Sequence, residues 1–142
     1  MGTNHGLLFL GIVFVHAACV FAGVPDWIPP EVIDMVQDDK NRCMAEHGTQ
    51  EAEIAEVQAG RITSARSITC YMYCLLEAFS LVDDEGNLES DMLMGLLPEN
   101  LQDTAESVLA KCTPAAGADP CEKIYNLAVC VYNTVPDLWF VV

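Results

Sequence analysis

From residue 31 to residue 134 the apolar positions recur three or four apart, and proline and glycine punctuate them. Pro29 and Pro30 stand where a helix begins, because proline is tolerated in the first turn. Val32, Ile33, Met35 and Val36 lead through a charged patch to Cys43 and Met44, and Gly48 ends this first helix. Thr49 is expected to cap a second one, through Ile54 and Val57, with Gly60 as its stop. A third covers 67–80 and is apolar on almost every face, with Ile68, Tyr71, Met72, Leu75, Leu76, Ala78 and Phe79. Such a helix either spans a membrane or sits at the centre of a bundle, and fourteen residues are too few to span.

"DDEGN", residues 83–87, is a turn by composition; it lacks the alternating oxygen ligands of a calcium loop. A short fourth helix is expected over 89–96, closed by Pro98. The fifth covers 99–112 and carries Leu101, Ala105, Val108 and Leu109 on one face. After the loop "TPAAGADP", a sixth runs over 121–134 with Ile124, Tyr125, Leu127, Ala128 and Val131. The pattern predicts an all-α bundle of six helices in one domain.

The chain ends change the picture. Leu7 to Phe21 is nearly all apolar, and Val20 and Ala22 have the spacing of a signal-peptidase site. Residues 1–22 are therefore expected to be a removed signal peptide, with 23–142 the mature domain. The stretch is short for a membrane anchor and no basic cluster follows it, so no stable membrane insertion is expected. Of seven cysteines, Cys19 leaves with the signal and six remain, as expected of disulfides in a small secreted chain. Six Lys and Arg stand against twenty-one Asp and Glu, a net charge of −15. That balance repels phosphate backbones, which excludes nucleic acid as a partner, and it favours solubility. No Asn-x-Ser/Thr sequence is present.

Cys70 and Cys74 share one face of the third helix, too parallel to bridge each other. Cys121 and Cys130 lie roughly 13 Å apart along the sixth helix axis. Excluding both pairs leaves about ten of the 15 pairings of six cysteines, and each of the ten ties the third helix to two other places. Zinc is disfavoured, because the tight pair is C-x3-C and His47 is the one histidine outside the leader. His47 also lacks a partner for nucleophilic chemistry, and no G-x-S-x-G occurs, so no enzyme and no cofactor are expected.

The spacing of Cys43, Cys70, Cys74, Cys112, Cys121 and Cys130, with 26, 3, 37, 8 and 8 residues between them, resembles the six-cysteine insect odorant-binding proteins. The segments "PDWIPPEV", "CYMYCLLEAFSLVD", "KIYNLAVCV" and "PDLWFVV" more narrowly resemble the antennal pheromone-binding proteins of bees and related insects. The resemblance implies bridges Cys43–Cys74, Cys70–Cys121 and Cys112–Cys130, and a disulfide-braced bundle enclosing an apolar cavity. It implies a secreted, extracellular carrier of small hydrophobic semiochemicals in sensillar lymph, with an olfactory receptor as a further partner.

The helix faces suggest a lining of Trp27, Ile33, Val36, Ile54, Met72, Leu75, Leu76 and Phe79, continued by Leu97, Val108, Tyr125, Leu127, Trp139 and Phe140. Met35, Met44, Met72, Met92 and Met94 add adaptable side chains. The tail 135–142 ends in "DLWFVV", too apolar to be left in water, and is expected to pack on the bundle as a wall of the cavity. Asp137 and the terminal carboxylate would then lie near a low-dielectric site, which makes affinity pH-dependent. Hydroxyls such as Tyr71 and Tyr125, or backbone near 140–142, would orient the ligand. The rival reading is a secreted, disulfide-rich helical module that uses the apolar tail as an interface, for a protein partner or a homodimer.

Overall fold

The computed structural model describes residues 24–142; the expected signal peptide and its cleavage site lie outside the described residues. Six helices follow in order: α1 (Pro30–His47), α2 (Glu51–Gln58), α3 (Arg66–Ala78), α4 (Ser90–Leu96), α5 (Glu99–Cys112) and α6 (Pro120–Thr134). A 3-10 turn, Pro136–Leu138, opens the tail. The described residues contain no strand, only an isolated antiparallel bridge between Val82 and Leu88 across the acidic turn.

Helix α3 is the hub. It packs against α1 on one side and α6 on the other. Ile68, Thr69, Cys70, Tyr71, Met72, Cys74 and Leu75 are all buried, which is why its apolar residues encircle it. Three bridges fix it and its neighbours: Cys43–Cys74 joins α1 to α3, Cys70–Cys121 joins α3 to α6, and Cys112–Cys130 joins α5 to α6. Each contributes about 3–4 kcal/mol in the chain-entropy account.

Local chemistry sets the corners. Thr49 does not cap α2. Gln50 occupies the N-cap, and its N–H donates to Glu53 Oε2 at 2.8 Å. Thr49 is instead buried, with its hydroxyl donating to the Ser67 carbonyl at 2.8 Å. Glu53 also accepts from the Ser67 hydroxyl, so the start of α2 is tied to the start of α3. These hydrogen bonds, the Ser67 hydroxyl foremost, hold the Glu53 carboxyl below its usual range. At α6, Asp119 accepts from Glu122 N–H at 3.0 Å as N-cap, and Arg66 grips the same carboxylate, holding it below its usual range. Asp83 organises the acidic turn by accepting from the main-chain N–H of Glu85 and Asn87 at 2.9 and 2.8 Å.

Helix α4 departs from expectation. None of its residues is buried, and Met92 and Leu96 are exposed. On α1, Met35 is 64 % exposed, so Met35 and Met92 face solvent rather than an interior. Met72 alone of the five methionines is buried, while Met44 packs against the core from its edge.

Gly60 links α2 to the tail. Its φ is +86°, and a Cβ there would stand 2.2 Å from the Tyr132 ring. Tyr132 in turn meets Trp139 edge-on, with centroids 6.1 Å apart. Gly60→Ala is expected to lower stability by about 2–3 kcal/mol, because backbone strain and displacement of Tyr132 act together. Gly48→Ala, at φ +66° with open space around it, is expected to cost about 1 kcal/mol. Urea midpoints of the two variants check this ordering; equal midpoints would refute the Tyr132 contact as a constraint.

Candidate ligand cleft under the tail

Two helices present matching stripes. On α1, Ile33, Val36, Gln37 and Lys40 stand at i, i+3, i+4 and i+7; on α2, Glu51, Ile54, Ala55 and Gln58 do the same. These stripes line one cleft of about 300 Å³, which Val24, Val141 and Val142 complete. That volume is at the lower end for small-molecule pockets. Most of the lining is apolar, and the one cation in it, Lys40, is held by Glu51 at 3.1 Å.

The tail is fixed by three anchors. Trp139 Nε1 donates to the Val57 carbonyl at 2.8 Å. Tyr71, completely buried in α3, donates its hydroxyl to the Val142 main-chain oxygen. Phe140 meets Trp27 edge-on, with centroids 5.2 Å apart and planes at 85°. Val141 is buried in the same core as Met72, Leu75, Val108 and Leu127, and Trp139 and Val142 pack against that core. Burial, with the nearby Glu51 charge adding, pushes the Tyr71 phenol well above its ordinary value. Tyr71 therefore stays a donor at physiological pH. Its hydroxyl is committed to the tail, which corrects its expected role in orienting a ligand. Asp137 is exposed in the 3-10 turn, so it does not sit in the low-dielectric setting foreseen for it.

The expected lining residues divide by place. Ile33, Val36 and Ile54 line this cleft. Leu127 lines a second one of about 260 Å³, between the acidic turn and the 113–120 loop. Met72, Leu75 and Val108 are core residues, and Leu76 packs against them. Trp27 and Phe140 pair with each other, while Phe79, Leu97 and Tyr125 are half-buried away from both clefts. Gln37, Lys40, Glu51 and Gln58 also line this cleft, and hydrophobicity does not mark them. Their i, i+3, i+4, i+7 register with Val36 and Ile54 was the available signal.

Metal chemistry finds no support at the remaining cluster. Glu46, His47 and Cys74 approach one another, but the Cys74 sulfur is bonded to Cys43 and has no thiolate to offer.

Comparison with known proteins agrees with this architecture. The PBP/GOBP family matches residues 26–134. The chain belongs to the PBP/GOBP family. General odorant-binding protein 69a of Drosophila melanogaster is 27% identical over 104 residues, covering 72% of this chain and 70% of that protein. Among solved structures, the medfly odorant-binding protein 22/69a is 26% identical, with TM-score 0.66, over 73% of this chain and 90% of the other. Odorant-binding protein 7 of Anopheles gambiae, solved with four disulfide bridges and an azo compound, aligns at TM-score 0.71 and 23% identity. It covers 78% of this chain and 91% of its own. The relatives and solved structures that this chain resembles are named as odorant-binding proteins. No described helix is long and apolar enough to cross a membrane.

Proposed function

We propose that this PBP/GOBP protein is a secreted carrier that takes up a small hydrophobic semiochemical and carries it through aqueous lymph towards an olfactory receptor. The observation that supports the reading is the inward tail: Val141 and Val142 line the α1–α2 cleft, and Trp139 is tied to Val57 of α2. Affinity comes from apolar burial, at roughly 25 cal/mol per Å² removed from water. The ligand lodges between Ile33, Val36, Ile54 and the tail. The odorant-binding relatives support this class of ligand. The inward tail also weighs against the rival module, which needs that apolar surface outside.

Secretion is part of the proposal and follows from the leader. The protein recovered from insect-cell medium should have lost residues 1–22 in its intact mass. A finer element is pH dependence through the tail, taking Val142 as the terminal residue. Its carboxylate accepts from Tyr71 of α3 and shares the cleft with Lys40 of α1 and Glu51 of α2. Protonation of that carboxylate weakens the acceptor and loosens the tail. Affinity is then lost as pH falls and the carboxylate takes up its proton. Displacement of an environment-sensitive apolar dye by small volatile lipids tests both parts. One saturable site per chain, with pH dependence that vanishes on deleting 139–142, is the expected result. Absence of binding together with strong dimerisation refutes the carrier; equal pH dependence with and without the tail refutes the finer element.

A further inference from the structure

We propose that the indole N–H of Trp27, which lies beside this cleft rather than among its lining residues, is the polar recognition group for the ligand. Its ligands would carry a hydrogen-bond acceptor, a carbonyl, ester, ether or hydroxyl oxygen, on an otherwise apolar skeleton. The proposal rests on the carrier reading and specifies its ligand class.

Among the described residues, Trp27 Nε1 is the one buried side-chain nitrogen or oxygen without a hydrogen-bond partner. A buried donor left unpaired is costly, and native chains satisfy nearly all of them. This chain satisfies its comparable groups: the other indole, Trp139, donates to Val57, the Tyr71 hydroxyl to Val142, and the Thr49 hydroxyl to Ser67. Lys40 is engaged by Glu51. The cleft's own amides, Gln37 and Gln58, are not buried, so Trp27 is the one buried donor among the described residues whose pairing a neutral ligand would complete.

Its place fits the role. Val24, three residues before it, lines the cleft, and its ring rests edge-on against Phe140, two residues before Val142, which also lines it. The unpaired donor thus stands where the start of the domain meets the tail. Apolar walls accept a hydrocarbon and its ketone alike. A buried donor breaks that tie, because a ligand without an acceptor leaves it unpaired.

The sequence holds two tryptophans, so the protein gives two indole N–H signals in a ¹H–¹⁵N spectrum, assigned with Trp139→Phe. Protein secreted from the full chain is titrated with 2-undecanone and with undecane, by dye displacement and by these signals. The ketone is expected to move the Trp27 indole proton downfield while undecane does not. Trp27→Phe is expected to weaken the ketone roughly tenfold and leave undecane unchanged. Should that variant fail to fold, the wild-type indole shift decides. Identical indole positions with ketone and hydrocarbon, or equal weakening of both ligands in Trp27→Phe, overturn the proposal while the carrier reading stands. If neither compound displaces the dye, the carrier reading falls and takes this one with it.

Discussion

Removing the Cys70–Cys121 bridge, by replacing both residues with alanine, is expected to lower stability by about 4 kcal/mol. The bridge spans 51 residues, the longest of the three separations, so its loss frees the most unfolded-state entropy. It also ties α6 to α3, the pair around which the core is built. For a domain of this size the melting temperature should fall by roughly 15 °C. The Cys112–Cys130 bridge closes 18 residues and, removed the same way, should cost less, about 3 kcal/mol. Thermal melts of the two double variants measure the difference. Equal losses would show that loop length is not the governing term and that native-state strain or residual unfolded structure decides instead.

The second large effect is at the tail. Trp139→Ala is expected to cost about 2–3 kcal/mol. The ring is only half-buried, so the loss lies below that of a fully buried tryptophan. The Val57 carbonyl that it vacates still accepts from Gly60 N–H at 2.9 Å, so no buried acceptor is orphaned. The functional loss should exceed the structural one. With Trp139 gone, Tyr132 loses its edge contact and the tail keeps only the Tyr71 and Trp27 anchors. Affinity for an apolar dye should drop at least tenfold under conditions where the variant remains folded. A variant that melts earlier but binds the dye as tightly as the parent would show that the tail braces the bundle without walling a ligand.

Much of the fold was legible because local signals agreed. Pro30 and Pro120 open α1 and α6, Gly48 closes α1 in the left-handed conformation, and Pro98 separates α4 from α5. The C-x3-C face of α3 required two external anchors, and the structure supplies them on α1 and α6. The failures share one cause: they depend on what lies opposite a residue. Thr49 reads as a cap from its neighbours along the chain, yet Ser67 of α3 claims its hydroxyl. Met92 reads as interior from its apolarity, yet among the described residues none of α4 is buried and Met92 is exposed. Lys40 and Glu51 carry no apolar signature, yet they pair at the lining of an apolar cleft. The unpaired Trp27 donor has no signature along the chain, since only the folded surroundings reveal which partners are missing.

The account turns on where a bound apolar molecule sits. Isotope-filtered NOE spectra of the protein with one equivalent of a volatile apolar ligand locate it against assigned methyl groups. The account predicts contacts from the ligand to Ile33 and Val36 of α1, Ile54 of α2, and Val141 and Val142 of the tail. Contacts confined to the exposed Met92 and Leu96 of α4, with none to the tail, would contradict it.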